Sequence, residues 1–263
     1  MRIIYEPRGR AEEYALLAAS GFGNCGSGCH YCFNYEALCR TYEEFRKPYV
    51  RKGVLTDFRK DCEELAATGE QREILLSFTT DPYNELEDQY QITRAMIQIL
   101  IENGLHFTIL TKGKRPLRDI DLLQEEPNLC RFGTTLTLID EMVRELWEPG
   151  ATPGKFRVEC LQYAATHGIR TWASIEPVIY PNQSLELMRL AAPYCQEFRI
   201  GKLNHTGSGH LKEFMASIRY VPPTDEQMVQ FVKDAAELLE WTGRKGIFKK
   251  DMQPYLKAAG ISS

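Results

Sequence analysis

The sequence predicts an α/β fold built on parallel strands. Apolar strand-like runs and segments of helical period alternate six times over about 190 residues, a pattern that pairs strands in parallel through right-handed crossovers. No motif occurs in a second copy, so the alternation is not a tandem array. At 263 residues the chain has room for one α/β barrel-sized domain with an appendage.

Residues 14–19 form a short apolar run ending at Ser20-Gly21, read as a first strand whose C-terminal end releases a glycine-rich loop. Residues 54–67 have Leu55, Phe58, Cys62, Leu65 and Ala66 at helical spacing and stop at Thr68-Gly69. The second strand, 73–80, runs into Asp81-Pro82, where proline turns the chain, and a helix over 88–103 closes at Gly104. Strand 106–111 precedes Lys112-Gly113 and a helix starting over 118–123; strand 131–137 precedes a helix over 140–147. Thr152-Pro153 opens a helix to residue 167, because proline is tolerated in a first turn. Strand 171–175, helix 184–191 and strand 197–201 complete six units, which are too few to close an eight-stranded barrel. The predicted boundary is at 204/205: residues 205–209 read as a flexible link, 211–218 as a helix, and Pro222-Pro223-Thr224 as the lead into a long helix to about residue 241. This helical extension, 205–263, is expected to cap the open side or bottom of the main domain.

With 43% hydrophobic and 26% charged residues the composition is that of an ordinary globular protein. No apolar run approaches a membrane span, and the N-terminal stretch 1–7 lacks a secretion signal's apolar core. A cytoplasmic protein is therefore expected, with its eight cysteines as thiols. Cys39, Cys62, Cys130, Cys160 and Cys195 are scattered, and Cys130 and Cys195, which adjoin apolar stretches, read as small buried residues. The net charge of −4 argues against nonspecific coating of nucleic acid, but two stretches are basic. Residues 40–60 set seven cations against three anions, and 241–263 five against one, each interleaved with aromatics that could meet phosphates; two solvated helix faces are the plainer reading.

Chemistry concentrates in Cys25-Gly26-Ser27-Gly28-Cys29-His30-Tyr31-Cys32, where three thiols spaced Cys-x3-Cys-x2-Cys can converge on one side of a loop. Structural zinc takes four ligands, usually as two distant pairs, whereas only one group is present here. A cubic iron–sulfur cluster usually takes four thiolates, so three imply an iron open to a non-protein ligand, a catalytic feature. Polar residues also gather at predicted C-terminal strand ends, the face that carries chemistry in α/β barrels: Thr79, Thr80, Asp81, Thr111, Lys112, Thr135, Thr137, Ser174, Glu176, Lys202 and Asn204. Any one of them could instead cap a helix.

The loop, with Tyr31 just before its last cysteine, resembles the signature of the radical S-adenosylmethionine enzymes. The resemblance implies a partial (βα)6 TIM-type barrel holding a [4Fe-4S] cluster on Cys25, Cys29 and Cys32, with S-adenosylmethionine chelated to the fourth iron. Reductive cleavage would then give a 5'-deoxyadenosyl radical that abstracts hydrogen from a substrate, the cofactors carrying the hard chemistry. Such enzymes draw electrons from a donor such as flavodoxin or ferredoxin.

Thr79-Thr80-Asp81-Pro82-Tyr83 and the pair Thr111-Lys112 are similar to the spore photoproduct lyase-like branch, over roughly residues 14–202. By that similarity Thr80 binds the S-adenosylmethionine amino group, and Lys112 with a hydroxyl of Thr135 or Thr137 holds its carboxylate, a charge-assisted contact. Tyr31 and Phe33 flank cluster and adenine, and Val178 and Ile179 line the adenine pocket; Glu176-Pro177 has no counterpart in the branch, and the Glu176 carboxylate, from its place at the rim, is a candidate to contact a substrate amine or a ribose hydroxyl. The branch's lyase uses a cysteine near the end of its second strand as hydrogen donor, but Phe78 stands before Thr79 here and cannot return a hydrogen atom. The repair reaction itself is therefore not expected; Tyr83, Tyr180 or Cys195 could quench the radical, although packing is the commoner role. A nucleic acid or nucleotide is the first expected substrate class, a peptide or small metabolite the second. A non-catalytic iron–sulfur or zinc module is the third reading. The reaction class, lyase, oxidoreductase or transferase, stays open.

Overall fold

The computed structural model describes residues 2–8, 13, 15–113, 115–207 and 209–261. Met1, Tyr14, Ser208 and Ser263, which the sequence readings include, lie outside the described residues. In chain order the elements are β1 (Ile4–Tyr5), β2 (Leu17–Ala19), β3 (Phe22–Gly23), α1 (Asn34–Ala37), α2 (Tyr42–Phe45), β4 (Tyr49–Val50), α3 (Val54–Ala67) and β5 (Ile74–Leu76). Then come α4 (Glu87–Tyr90), α5 (Ile92–Glu102), β6 (Phe107–Thr111), α6 (Ile120–Glu125), β7 (Cys130–Thr135), α7 (Glu141–Trp147), α8 (Gly154–Thr166) and β8 (Arg170–Val178). The chain ends with α9 (Pro181–Ala191), β9 (Glu197–Lys202), α10 (Gly209–Ser217), α11 (Asp225–Thr242), β10 (Lys245–Phe248) and α12 (Gln253–Ala259).

The result is an α/β fold whose sheet runs in the order β1, β2, β5, β6, β7, β8, β9, β10, following the sequence. β2 pairs in parallel with β5, β5 with β6, β8 with β9, and β9 with β10, whereas β1 lies antiparallel on β2. All six expected strands form, and the six expected strand–helix units keep their order. Leu17-Ala18-Ala19 and Ile74-Leu75-Leu76 are buried throughout, as befits strands covered on both faces. Each buried Leu or Ile contributes about 1.5–3 kcal/mol relative to exposure.

Several boundaries differ from the sequence reading. The second strand stops at Leu76 instead of continuing to Thr80, because Ser77 and Thr80 bond to each other and bend the chain. The fourth stops at Thr135, while the fifth continues past Ile175 to Val178. The helix expected over 88–103 is broken at Gln91, whose φ of 49° ends α4 before α5 begins. The C-terminal stretch is not helical throughout: after α11, β10 adds to β9 in register Lys245↔Glu197. Thr224 caps α11 in a capping box with Gln227, and Asp140 caps α7 by accepting from the Val143 N–H.

Two compact units can be distinguished. The first comprises the chain up to Ser27 with Asn34–Gly133 and Tyr163–Arg170. In it α3 lays Phe58 and Cys62 inward, and Asp61 accepts the N–H groups of Ile3 and Ile4 at 2.5 and 2.9 Å, fastening β1. The second comprises Gly28–Phe33, Thr134–Gln162 and Thr171–Ser263. Its apolar cluster joins Leu138, Trp147, Ile179, Leu203, Leu211 and Phe214.

Candidate cofactor-binding site

The cysteine loop follows β3, and the first unit secures its beginning. Asn24, at φ 61°, donates through Nδ2 to the carbonyls of Glu44 and Lys47 at 2.9 and 3.1 Å, and the Cys25 N–H donates to the Phe45 carbonyl at 2.8 Å. Burial pushes the Cys25 thiol pKa up, and the charge of Asp81 adds to it. Asp81 is the hub of this region: Oδ1 accepts the Tyr83 N–H at 2.8 Å and the Thr111 hydroxyl at 2.6 Å, while Oδ2 accepts the Lys112 N–H at 2.8 Å. Thr80 is buried, its hydroxyl 2.7 Å from both Ser20 and Ser77. Cys25, Thr80 and Lys112 thus belong to one connected neighbourhood around Asp81.

The second unit holds the rest of the loop. Gly28 has φ 61°, a left-handed conformation that a side chain would strain, and Cys32 N–H donates to the Cys29 carbonyl at 3.1 Å. The His30 N–H donates to the Trp147 carbonyl at 3.0 Å. The His30 ring stacks on Phe214 at 3.8 Å and shares a hydrogen bond with His210, Nδ1 to Nε2, at 2.8 Å. The Tyr31 hydroxyl donates to Oε1 of Glu148. Phe33 stacks on His205 at 5.5 Å.

Glu148 and Arg157 are a buried ion pair, both side chains 0% exposed. Thr137 also donates to Glu148 Oε1, at 2.7 Å, and Arg157 donates to the carbonyls of Thr135 and Thr152 at 2.8 and 2.7 Å. Tyr31, Thr135 and Thr137 therefore meet through this pair, and the Thr137 hydroxyl is already committed to a carboxylate. Glu176 meets Lys249 through both oxygens, at 3.0 and 2.9 Å, and lies so close to Gly201 that a Cβ there would stand 2.9 Å from the Glu176 Cδ. Val178 and Ile179 are buried, and Ile179 packs in the apolar cluster. Ser174 is buried in β8, and the Asn204 amide donates to the Lys202 carbonyl and to Asp251.

Sequence reasoning missed Glu148, Arg157, His210 and Lys249. Arg157 left a trace, since it shares a helical face with Leu161 and Ala164, which makes it a cation in an apolar stripe. Of the proposed quenchers, Tyr83 and Cys195 are buried, whereas Tyr180 follows β8 and meets Tyr220 edge-on at 5.3 Å. Cys130 and Cys195 are buried as expected; Cys62 and Cys160 are buried too, and Cys39 is exposed.

The donor set suits a cubic cluster: three thiols on one short loop leave one iron corner for another ligand. Among the described residues no three His, Cys, Asp or Glu side chains gather as the ligands of a single ion would. A cube asks for a different arrangement, in which each thiolate meets its own iron.

The fold is shared with solved structures of low sequence identity. A spore photoproduct lyase variant with bound S-adenosylmethionine and dinucleoside spore photoproduct matches 92% of this chain and 78% of its own, with TM-score 0.67 at 14% identity. SuiB of Streptococcus suis bound to S-adenosylmethionine matches over 88% of this chain and 49% of its own, with TM-score 0.63 at 12% identity. Both have the α/β fold described above. The chain belongs to the Radical SAM superfamily, whose family profile matches residues 20–192. An uncharacterised protein of Methanocaldococcus jannaschii is 23% identical over 73% of this chain and 71% of its own. One of Acidianus two-tailed virus is 28% identical over 43% of this chain, which spans 37% of the viral protein's length.

Proposed function

We propose that this chain holds a [4Fe-4S] cluster on Cys25, Cys29 and Cys32, binds S-adenosylmethionine beside it, and starts radical chemistry on an organic substrate. The observation that carries this reading is the three-thiol loop within the family-matched region. When bound, these cofactors supply a 5'-deoxyadenosyl radical for hydrogen abstraction. The chain's own part is to position and to exclude water. Asp81 sets the turn at Lys112, whose ammonium would meet the S-adenosylmethionine carboxylate. Thr80, in the same hydrogen-bonded turn, would bind the amino group. Of the two threonines suggested for the carboxylate, Thr135 is retained, because the Thr137 hydroxyl serves Glu148. Phe33 and Val178 offer apolar surface to the adenine. Glu176 would act as a carboxylate whose charge Lys249 already balances. A flavodoxin- or ferredoxin-type donor would supply the electron.

A nucleic acid or nucleotide is the substrate class favoured, because a basic stretch abuts the cysteine loop. The carbonyls of Glu44, Phe45 and Lys47 hold Asn24 and Cys25, and the same stretch exposes Arg40, Arg46, Lys47, Lys52 and Tyr49. Anaerobic reconstitution, reduction and product analysis test the enzyme reading: 5'-deoxyadenosine is expected, and its absence with a loaded cluster would remove it. Oligonucleotide binding is expected to weaken steeply with added salt. Absent or salt-independent binding would turn attention to a peptide, the class of ligand named for SuiB bound to the precursor peptide SuiA.

A further inference from the structure

The cysteine loop is held by more than its own turns. Its segment Gly28–Phe33 meets the C-terminal end of α7 twice, at consecutive residues: the His30 N–H donates to the Trp147 carbonyl, and the Tyr31 hydroxyl donates to Glu148. Glu148 itself is held from several sides. Arg157 takes Oε2, Thr137 shares Oε1 at 2.7 Å, its own N–H donates to the Arg144 carbonyl at 2.7 Å, and Arg144 donates back to its carbonyl at 2.8 Å. Arg157 is in turn fixed by the Thr135 and Thr152 carbonyls. Tyr31 therefore meets a carboxylate whose other partners are already in place, and both members of the pair are buried.

We propose that Tyr31 is a positioning residue: its hydroxyl, moored to the buried Glu148–Arg157 pair, fixes the Cys29–Cys32 arm of the loop for cluster binding. The inference rests on the cysteine loop being the cluster site. The dependence is one-sided. Without the Tyr31 hydroxyl, Glu148 keeps Arg157 and Thr137, so the pair and the fold around it stand, whereas the loop loses the Tyr31 hydrogen bond that ties it to that pair. Partners that orient metal ligands in this way typically change metal affinity about 10–100-fold when removed.

The test compares wild type with Tyr31→Phe, Glu148→Asp and Tyr220→Phe after anaerobic reconstitution without S-adenosylmethionine. Iron per chain, the visible spectrum, the electron paramagnetic resonance of the reduced cluster and the rate of iron loss to a chelator are read, beside the melting of each apo chain. Tyr220→Phe is the control, because it removes a half-buried tyrosine hydroxyl, bonded to the Ile179 carbonyl at 2.6 Å, from a ring packed against the same apolar cluster. Tyr31→Phe is expected to lose iron about 10-fold faster, with an altered resonance and a nearly unchanged apo melting point. Glu148→Asp withdraws the acceptor from the other side and is expected to lose iron in the same way, while Tyr220→Phe keeps the wild-type rate. A wild-type cluster matched by an equally stable one in Tyr31→Phe would overturn the anchor alone, as would equal losses in Tyr31→Phe and Tyr220→Phe. A wild-type chain that takes up no cluster would overturn the cofactor reading and the anchor with it.

Discussion

Asp81 and Lys112 are joined at 2.8 Å, the carboxylate of the first accepting the backbone N–H of the second, while the other oxygen of Asp81 takes the Thr111 hydroxyl at 2.6 Å. One side chain thereby sets the direction in which β6 ends. Asp81→Asn removes the charge and one acceptor but keeps the volume. Hydrogen bonds to charged groups contribute about 1.5–3 kcal/mol, so S-adenosylmethionine should bind at least about 10-fold more weakly. Calorimetric titration of the reconstituted variant, with iron content as the control, measures this. An unchanged affinity would remove Asp81 and Lys112 from the cofactor site.

Arg157→Met should be among the more damaging single changes outside the loop. It strands the fully buried Glu148 carboxylate, a loss of about 3–5 kcal/mol in urea unfolding of the apo chain. The double variant Arg157→Met with Glu148→Gln replaces the stranded charge by a neutral amide and should recover a large part of that loss. Additive losses in the double variant would mean that the two side chains are not coupled.

Gly28→Ala places a side chain where φ is 61°, at a cost of about 1–2 kcal/mol. Because the strain falls between Cys25 and Cys29, cluster retention should suffer more than global stability. Iron loss to a chelator and apo melting, compared in one preparation, decide the point; a variant that melts early but keeps its iron would contradict it.

Burial holds the thiols of Cys62, Cys130, Cys160 and Cys195 protonated up to about pH 12 in the folded chain, against an ordinary value of 9.0. The folded state binds these protons more tightly than the unfolded one. Their contribution is therefore complete below pH 9 and is lost progressively between 9 and 12 as the unfolded thiols ionise. Urea unfolding should show stability falling on the alkaline side, less steeply in Cys195→Ala. In alkylation near neutral pH the exposed Cys39 should react while these four do not, as mass spectrometry would count. Rapid labelling of any of the four in the folded chain would contradict their burial.

Local chemistry alone determined much of this protein. Strand runs such as Ile74-Leu75-Leu76, the helix over Val54–Ala67, the caps at Asp140 and Thr224 and the cysteine spacing are written in neighbouring residues, and periodicity and turn chemistry act over neighbouring residues. No membrane-spanning helix was expected, and none of the described helices is long and apolar enough to cross a membrane. Tertiary structure decided what those residues touch. It spent the Thr137 hydroxyl on Glu148, balanced Glu176 with a lysine 73 positions away, and brought Lys245–Phe248 to the sheet beside β9. The reason is physical: a buried polar group must find a partner wherever the packed chain supplies one, and sequence distance puts no limit on that choice.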